Sequence, residues 1–85
     1  MTERDDIQDQ ARSALAETLG LPEDDVQDSA SAAALPMWDS LRHFTLIAAL
    51  EERFGVIYGS DEIPQMTSLQ AITAITEKHV HERGV

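Results

Sequence analysis

The chain has 85 residues, 42% of them hydrophobic, with no cysteine and a formal net charge of −10. This is one small domain, 1–85, that must be held by well-packed helices, since it has no disulfide, thiolate nucleophile or zinc-thiolate site. Nucleic acid and anionic membranes would repel it, so basic protein surfaces are the natural partners.

The acidity is uneven. Residues 1–38 hold nine acids against two bases, residues 39–54 three against two, and residues 55–85 four against two. No apolar run reaches membrane-spanning length, and Thr2-Glu3-Arg4-Asp5-Asp6 is unlike a signal peptide. The expected location is the cytoplasm.

Residues 3–19 read as a first helix. Ile7, Ala11, Ala14, Leu15 and Thr18 follow three-four spacing, and Leu19 closes the stripe. Thr2 is the expected cap, Gly20 the C′ residue, and Pro22 prevents continuation. A long connection follows, with a helical turn expected at 22–26. Its acids Asp24, Asp25 and Asp28 lack the spacing of a calcium loop. Ala30, Ala32, Ala33, Ala34 and Leu35 are apolar enough to lie on the bundle.

Residues 40–54 form the second helix, roughly 22 Å long at 1.5 Å per residue. Its apolar residues fall into two groups. Leu46, Ile47, Leu50 and Phe54 belong to the core. Leu41, Phe44 and Ala48 lie beside Ser40, either as further core or as a contact patch. Gly55 stops the helix. Val56-Ile57-Tyr58 is extended, and a brief third helix is expected at about 60–64. Thr67 and Gln70 suggest a capping box for a last helix over about 68–80. Leu69, Ile72, Ile75 and Thr76 line its inner face, Ala71 and Ala74 allow close approach, and 81–85 are expected to fray.

At the start of the second helix, Pro36-Met37-Trp38-Asp39-Ser40-Leu41 places a hydroxyl at the positive end of a helix dipole. Ser40 is there either a plain cap or the attachment point for a phosphate-linked group. Ser40 and His43 are helix neighbours, yet a serine hydrolase also needs a third member, an oxyanion hole and a cleft. His43 reads as a half-buried helix residue and Trp38 as a cover over the core. His79 and His81 diverge on a helix and clamp no metal. No catalytic residue and no metal site is assigned.

Asp39-Ser40-Leu41, followed by Leu46-Ile47-Ala48-Ala49-Leu50-Glu51-Glu52-Arg53-Phe54-Gly55-Val56, strongly resembles acyl carrier proteins. The acidic loop with Pro22-Glu23-Asp24-Asp25-Val26 and the junction Ile63-Pro64-Gln65-Met66-Thr67-Ser68-Leu69 extend the resemblance over nearly the whole chain. It implies an all-α, four-helix acyl-carrier-like bundle with a long first loop and a short third helix. Ser40 would receive 4′-phosphopantetheine from coenzyme A, covalently, in a phosphopantetheinyl transferase. The cofactor would supply the thiol that the chain lacks and hold acyl intermediates as thioesters. Asp39 would assist that transferase, and Leu41 would adjoin the attached cofactor. Leu41, Phe44 and Ala48 match the family's apolar docking face, and Glu51 and Glu52 its acidic docking positions.

The further partners implied are an acyl-activating ligase or acyltransferase and condensing or tailoring enzymes, in fatty-acid, polyketide or related biosynthesis. The chain itself would be a monomer and no enzyme. It departs from fatty-acid carriers at Arg42 and Thr45, where acids are common. Its Trp38-Asp39-Ser40-Leu41-Arg42-His43 wording looks more like stand-alone carriers serving a dedicated partner. Peptidyl or aminoacyl carriers, and a helical interaction module that is never modified, are the alternatives.

Overall fold

The computed structural model describes residues 3–83. Its helices are α1 (Glu3–Leu19), α2 (Ser40–Phe54) and α3 (Leu69–Arg83), with single 3₁₀ turns at Glu23–Asp25 and Ile63–Gln65. Among the described residues there is no strand beyond one antiparallel bridge, Ser31 to Ser68. Among the described residues no helix is long and apolar enough to cross a membrane.

The expected short third helix is therefore only a 3₁₀ turn, and the architecture is three α-helices. Asp61-Glu62-Ile63 is too short to repay helix nucleation. The side chain of Glu62 is turned back onto the Gly59 amide, Oε1 accepting at 2.8 Å. The turn expected at 22–26 is present as Glu23–Asp25, following Pro22 in extended backbone.

Both helix stops read from glycine are real. Gly20 and Gly55 have φ of 71° and 67°, left-handed values that glycine adopts without a Cβ penalty. After α1, the amides of Leu21 and Gly20 donate to the carbonyls of Ala16 and Glu17, the Schellman pattern. Thr2, the expected cap of α1, lies outside the described residues.

α1 packs against both other helices. Ile7, Ala11, Ala14, Leu15 and Leu19 are buried as their spacing demands, and Ala16 joins them. Thr18 is only half-buried. On α2, Leu46, Ile47, Leu50 and Phe54 all face the core. On α3, Leu69, Ile72, Thr73 and Thr76 are buried, Thr73 and Thr76 at 1% and 0% exposure. Thr73 satisfies its hydroxyl on the Leu69 carbonyl at 2.8 Å. Ile75 and Ala71 are half-buried, while Ala74 is exposed and takes no part in close packing.

α3 is capped one residue later than expected. Ser68, not Thr67, accepts the Ala71 amide on its hydroxyl, at 3.0 Å. The cause is pairing with the first loop: Ala32 N–H donates to Thr67 O and Leu69 N–H to Ala30 O, each at 2.9 Å. Thr67 is thereby tied to the first loop through its carbonyl, and the residue is exposed. The last helix also runs beyond Val80, through residues 81–83 that were expected to fray. His81 pairs there with Glu3 at 3.0 Å. Gly84 and Val85 lie outside the described residues.

The long first loop lies on the bundle. Val26, Ala30 and Trp38 are buried and Ala32, Leu35 and Met37 pack partly against the core. Ala33 and Ala34 are exposed instead, because they occupy the tight turn in which the Ala34 and Leu35 amides donate to Ser31 O. Arg12 on α1 clamps the loop through the Val26 carbonyl and the Asp28 carboxylate. Gln8 adds a bond to Asp28 at 3.1 Å.

A second polar cluster fixes the extended segment after α2. Its residues alternate in, out, in: Val56 and Tyr58 are buried and Ile57 is 82% exposed. The Tyr58 hydroxyl and the Thr76 hydroxyl share a hydrogen bond of 2.6 Å, and the Tyr58 ring sits edge-on to His79. His79 Nε2 reaches Glu62 Oε1 at 2.7 Å, so it is a half-buried tie between α3 and the second turn.

Burial raises the Tyr58 pKa most, the Thr76 bond opposes the shift, and the charges of Glu51 and Glu62 add to it. The neutral phenol is thus favoured in the fold. Its contribution to stability is complete below the ordinary phenol pKa and falls as pH rises from there toward the folded value. Denaturant titrations across alkaline pH should show a steeper loss in the wild type than in Tyr58→Phe. Equal slopes would contradict this.

Candidate functional site

Ser40 is the first residue of α2, and its side chain is exposed. The cap belongs to its neighbour. Asp39 has extended backbone, φ −96° and ψ −176°, and its Oδ1 accepts the Arg42 amide at 2.9 Å. This is the N-cap arrangement that satisfies one orphan donor of the first turn. The Ser40 hydroxyl is left outside the cap, at the positive end of the helix.

The cap is reinforced from the side. Arg42 Nη1 pairs with Asp39 Oδ2 at 3.1 Å and donates to the Met37 carbonyl at 3.3 Å. The pair is about half exposed, so its own contribution to stability is small. It uses both carboxylate oxygens of Asp39 within the chain. Asp39→Ala should therefore cost about 1 kcal/mol in urea unfolding, the usual worth of an N-cap. Asp39→Asn should recover most of that. An unchanged stability in Asp39→Ala would show that the cap lies elsewhere.

The apolar group beside Ser40 is surface and not core. Leu41 is 75% exposed and Phe44 66% exposed, and Ala48 is exposed on the same stripe. Three apolar side chains in a row on one helix face are more than the scattered exposure of any surface. Glu52 continues the stripe one turn on, exposed. Glu51 does not share that freedom. It is half-buried, and its Oε2 accepts the Tyr58 amide at 3.0 Å. Its carboxylate fastens the extended segment to α2.

Between α2 and the Ile63–Gln65 turn lies an open cavity of about 320 Å³. Ser40 and Phe44 form part of its wall, with Ala32, Ile63, Pro64 and Thr67. Trp38 and His43 close its inner side. Trp38 Nε1–H donates to His43 Nδ1 at 3.0 Å. His43 Nε2 faces the Ile63 carbonyl at 2.8 Å. The indole can only donate and the carbonyl can only accept, so the tautomer with hydrogen on Nε2 satisfies both. Both ring nitrogens are engaged, so His43 is not oriented as a base toward Ser40. No Ser–His catalytic pair is assembled, in keeping with His43 read as a half-buried helix residue.

A larger depression of about 620 Å³ lies between α1 and α2, lined by Ala14, Glu17, Thr18, Thr45, Ala49, Glu52 and Arg53. Arg53 crosses toward α1, donating to the Gln10 carbonyl at 3.1 Å and pairing with Glu17 at 3.8 Å. It does not include Ser40. Among the described residues no group of histidines and acids is arranged to hold a metal ion.

Sequence reasoning placed Ser40, Leu41, Phe44 and Ala48 together, and the structure keeps them on one face. It missed the Trp38–His43–Ile63 chain. Trp38 lies outside the helix and Ile63 twenty residues away, so helix spacing carries no signal for it. No family model matches the chain.

Proposed function

We propose that the chain is an acyl carrier: Ser40 receives 4′-phosphopantetheine from coenzyme A, and the thiol of that arm carries acyl intermediates to partner enzymes. The observation that carries this is the division of labour at the start of α2. Asp39 caps the helix, and an exposed serine hydroxyl stands beside it, next to an exposed apolar stripe. A serine retained only for capping would hold the first-turn amide itself. The resemblance of Asp39-Ser40-Leu41 and the following helix to acyl carrier proteins supplies the cofactor's identity.

The chemistry is a phosphoryl transfer. The Ser40 oxygen attacks the β-phosphate of coenzyme A, the serine proton passes to a base of the transferase, and 3′,5′-adenosine bisphosphate leaves. The transferase supplies the catalytic groups and Mg²⁺. This chain contributes an accessible hydroxyl on a rigid helix end. Tethering then raises the effective concentration of the acyl group at each enzyme the carrier meets. Leu41, Phe44, Ala48 and Glu52 form the docking face, while Glu51 is assigned to structure. The bundle acts in the cytoplasm as a monomer, without turnover of its own.

Co-expression with a phosphopantetheinyl transferase of broad specificity, followed by intact-mass measurement, tests the proposal. One phosphopantetheine per chain is expected. Its absence would leave a helical interaction module of the same fold.

A further inference from the structure

Among the described residues the large apolar side chains left exposed are Leu41, Phe44 and Ile57. The first two stand with Ala48 on α2. Ile57 lies beyond the helix, and a carboxylate of the helix sets its place. Glu51 is seven residues on from Phe44 and three from Ala48, so it shares their side of α2. Its Oε2 accepts the Tyr58 amide at 3.0 Å, which brings the extended segment back alongside that face. Val56 and Tyr58 turn inward there and Ile57 is left outward. The Glu51 tie thus adds an apolar side chain from outside the helix to the far end of the stripe that begins beside Ser40.

The charges around this surface are largely closed within the chain. Asp39 pairs with Arg42, and Arg53 with Glu17. The Glu51 carboxylate is spent on the Tyr58 amide. Residues 39–54 hold three acids against two bases, and residues 1–38 nine against two, so most of the acidity lies away from the stripe. An interface of standard size, about 800 Å² per partner and so about 30 Å across, covers a helix of roughly 22 Å from the Ser40 end to Ile57.

We propose that Leu41, Phe44, Ala48 and Ile57 seat together on one apolar surface of the enzyme that acts at Ser40, with Glu51 as the positioning residue that keeps Ile57 in the set. This rests on Ser40 as the carrier serine. The partner surface is apolar and not basic. The charges next to the stripe are already compensated, and a cationic patch finds its counter-charges on α1 and the first loop. Docking through opposite charges weakens as salt rises, whereas apolar contact does not.

The probe is a phosphopantetheinyl transferase of broad specificity, with its KM for the carrier measured from about 0.05 to 0.5 M sodium chloride. The wild-type KM should change by less than about twofold over that range. Ile57→Gln should raise KM about fivefold, through apolar surface lost from the interface, while its urea unfolding curve stays in place. Ile57→Leu should keep the wild-type KM. Glu51→Ala releases the segment and should raise KM in the same way. Glu51→Gln keeps a carbonyl acceptor for the Tyr58 amide and should restore it. A purely structural Glu51 would lower stability in Glu51→Ala and leave KM unmoved. If Glu51→Ala does not fold, Ile57→Gln decides the matter.

A KM that ignores Ile57→Gln, or one that rises about tenfold across the salt range, would overturn the proposal. So would a dimer in sedimentation equilibrium that Ile57→Gln dissociates, since the stripe would then belong to a second copy of the chain. A wild type that takes up no phosphopantetheine removes the carrier reading and this proposal with it. A chain that is fully modified with a KM indifferent to Ile57 removes this proposal alone.

Discussion

Leu50→Ala should destabilise the domain by about 3 kcal/mol, whereas Phe44→Ala, less than two turns away on the same helix, should change stability by no more than about 0.5 kcal/mol. Leu50 is at 0% exposure and Phe44 at 66%. Truncating Leu50 removes buried methyl groups and leaves a cavity in the fully buried core, which relaxes only in part. Truncating Phe44 removes a ring that already faces water. A bundle this small has little stability to spare, so the first change is expected to bring unfolding close to working temperatures. Urea unfolding of both variants checks the contrast. A Phe44→Ala loss approaching that of Leu50→Ala would place the apolar stripe in the core and remove the docking face.

The same contrast shows what was legible in the sequence. Two apolar groups on α2 were readable from helix geometry, and so were the bounds of α1 and α2, because Gly20, Pro22 and Gly55 punctuate them chemically. Whether Leu41, Phe44 and Ala48 were covered was not readable. That depends on whether the second turn and the first loop reach over them, and no local pattern records it. The second turn is instead held back by Glu62 on Gly59 and by His79 on Glu62.

The start of α3 failed for a related reason. Thr67 and Ser68 are both acceptable caps. The pairing of residues 30–32 with 67–69 decides between them, a contact across more than thirty residues. Ala33 and Ala34 were misjudged because composition was read where turn geometry rules. At the site, spacing made Ser40 and His43 neighbours and His43 a half-buried helix residue, and His43 is indeed half-buried. The structure gives His43 to Trp38 and Ile63, partners whose relation to it lies outside helical periodicity.

The acidic cluster at the second turn has its own pH signature. The Gly59 amide and then His79 lower the Glu62 pKa, with burial opposing them. The stability this adds is present above the ordinary carboxylate range and is lost as pH falls through the depressed folded value. This turn forms one side of the cavity beside Ser40, so acid weakens the hold on that wall.

The central claim concerns Ser40, and the variant that removes its hydroxyl has the largest functional effect expected of any single atom in the chain. Ser40→Ala should accept no phosphopantetheine at all, because the nucleophile is gone. It should also fold normally. Asp39 holds the Arg42 amide, and Ser40 is an exposed first-turn residue, so the stability change should stay within about 0.5 kcal/mol. The decisive measurement is the intact mass of the wild type and of Ser40→Ala, each co-expressed with the transferase, alongside their urea unfolding curves. One phosphopantetheine is expected on the wild type, none on Ser40→Ala, and matching curves. An unmodified wild type, an adduct that persists in Ser40→Ala, or a stability loss above about 2 kcal/mol, the upper end for a helix cap, would contradict it.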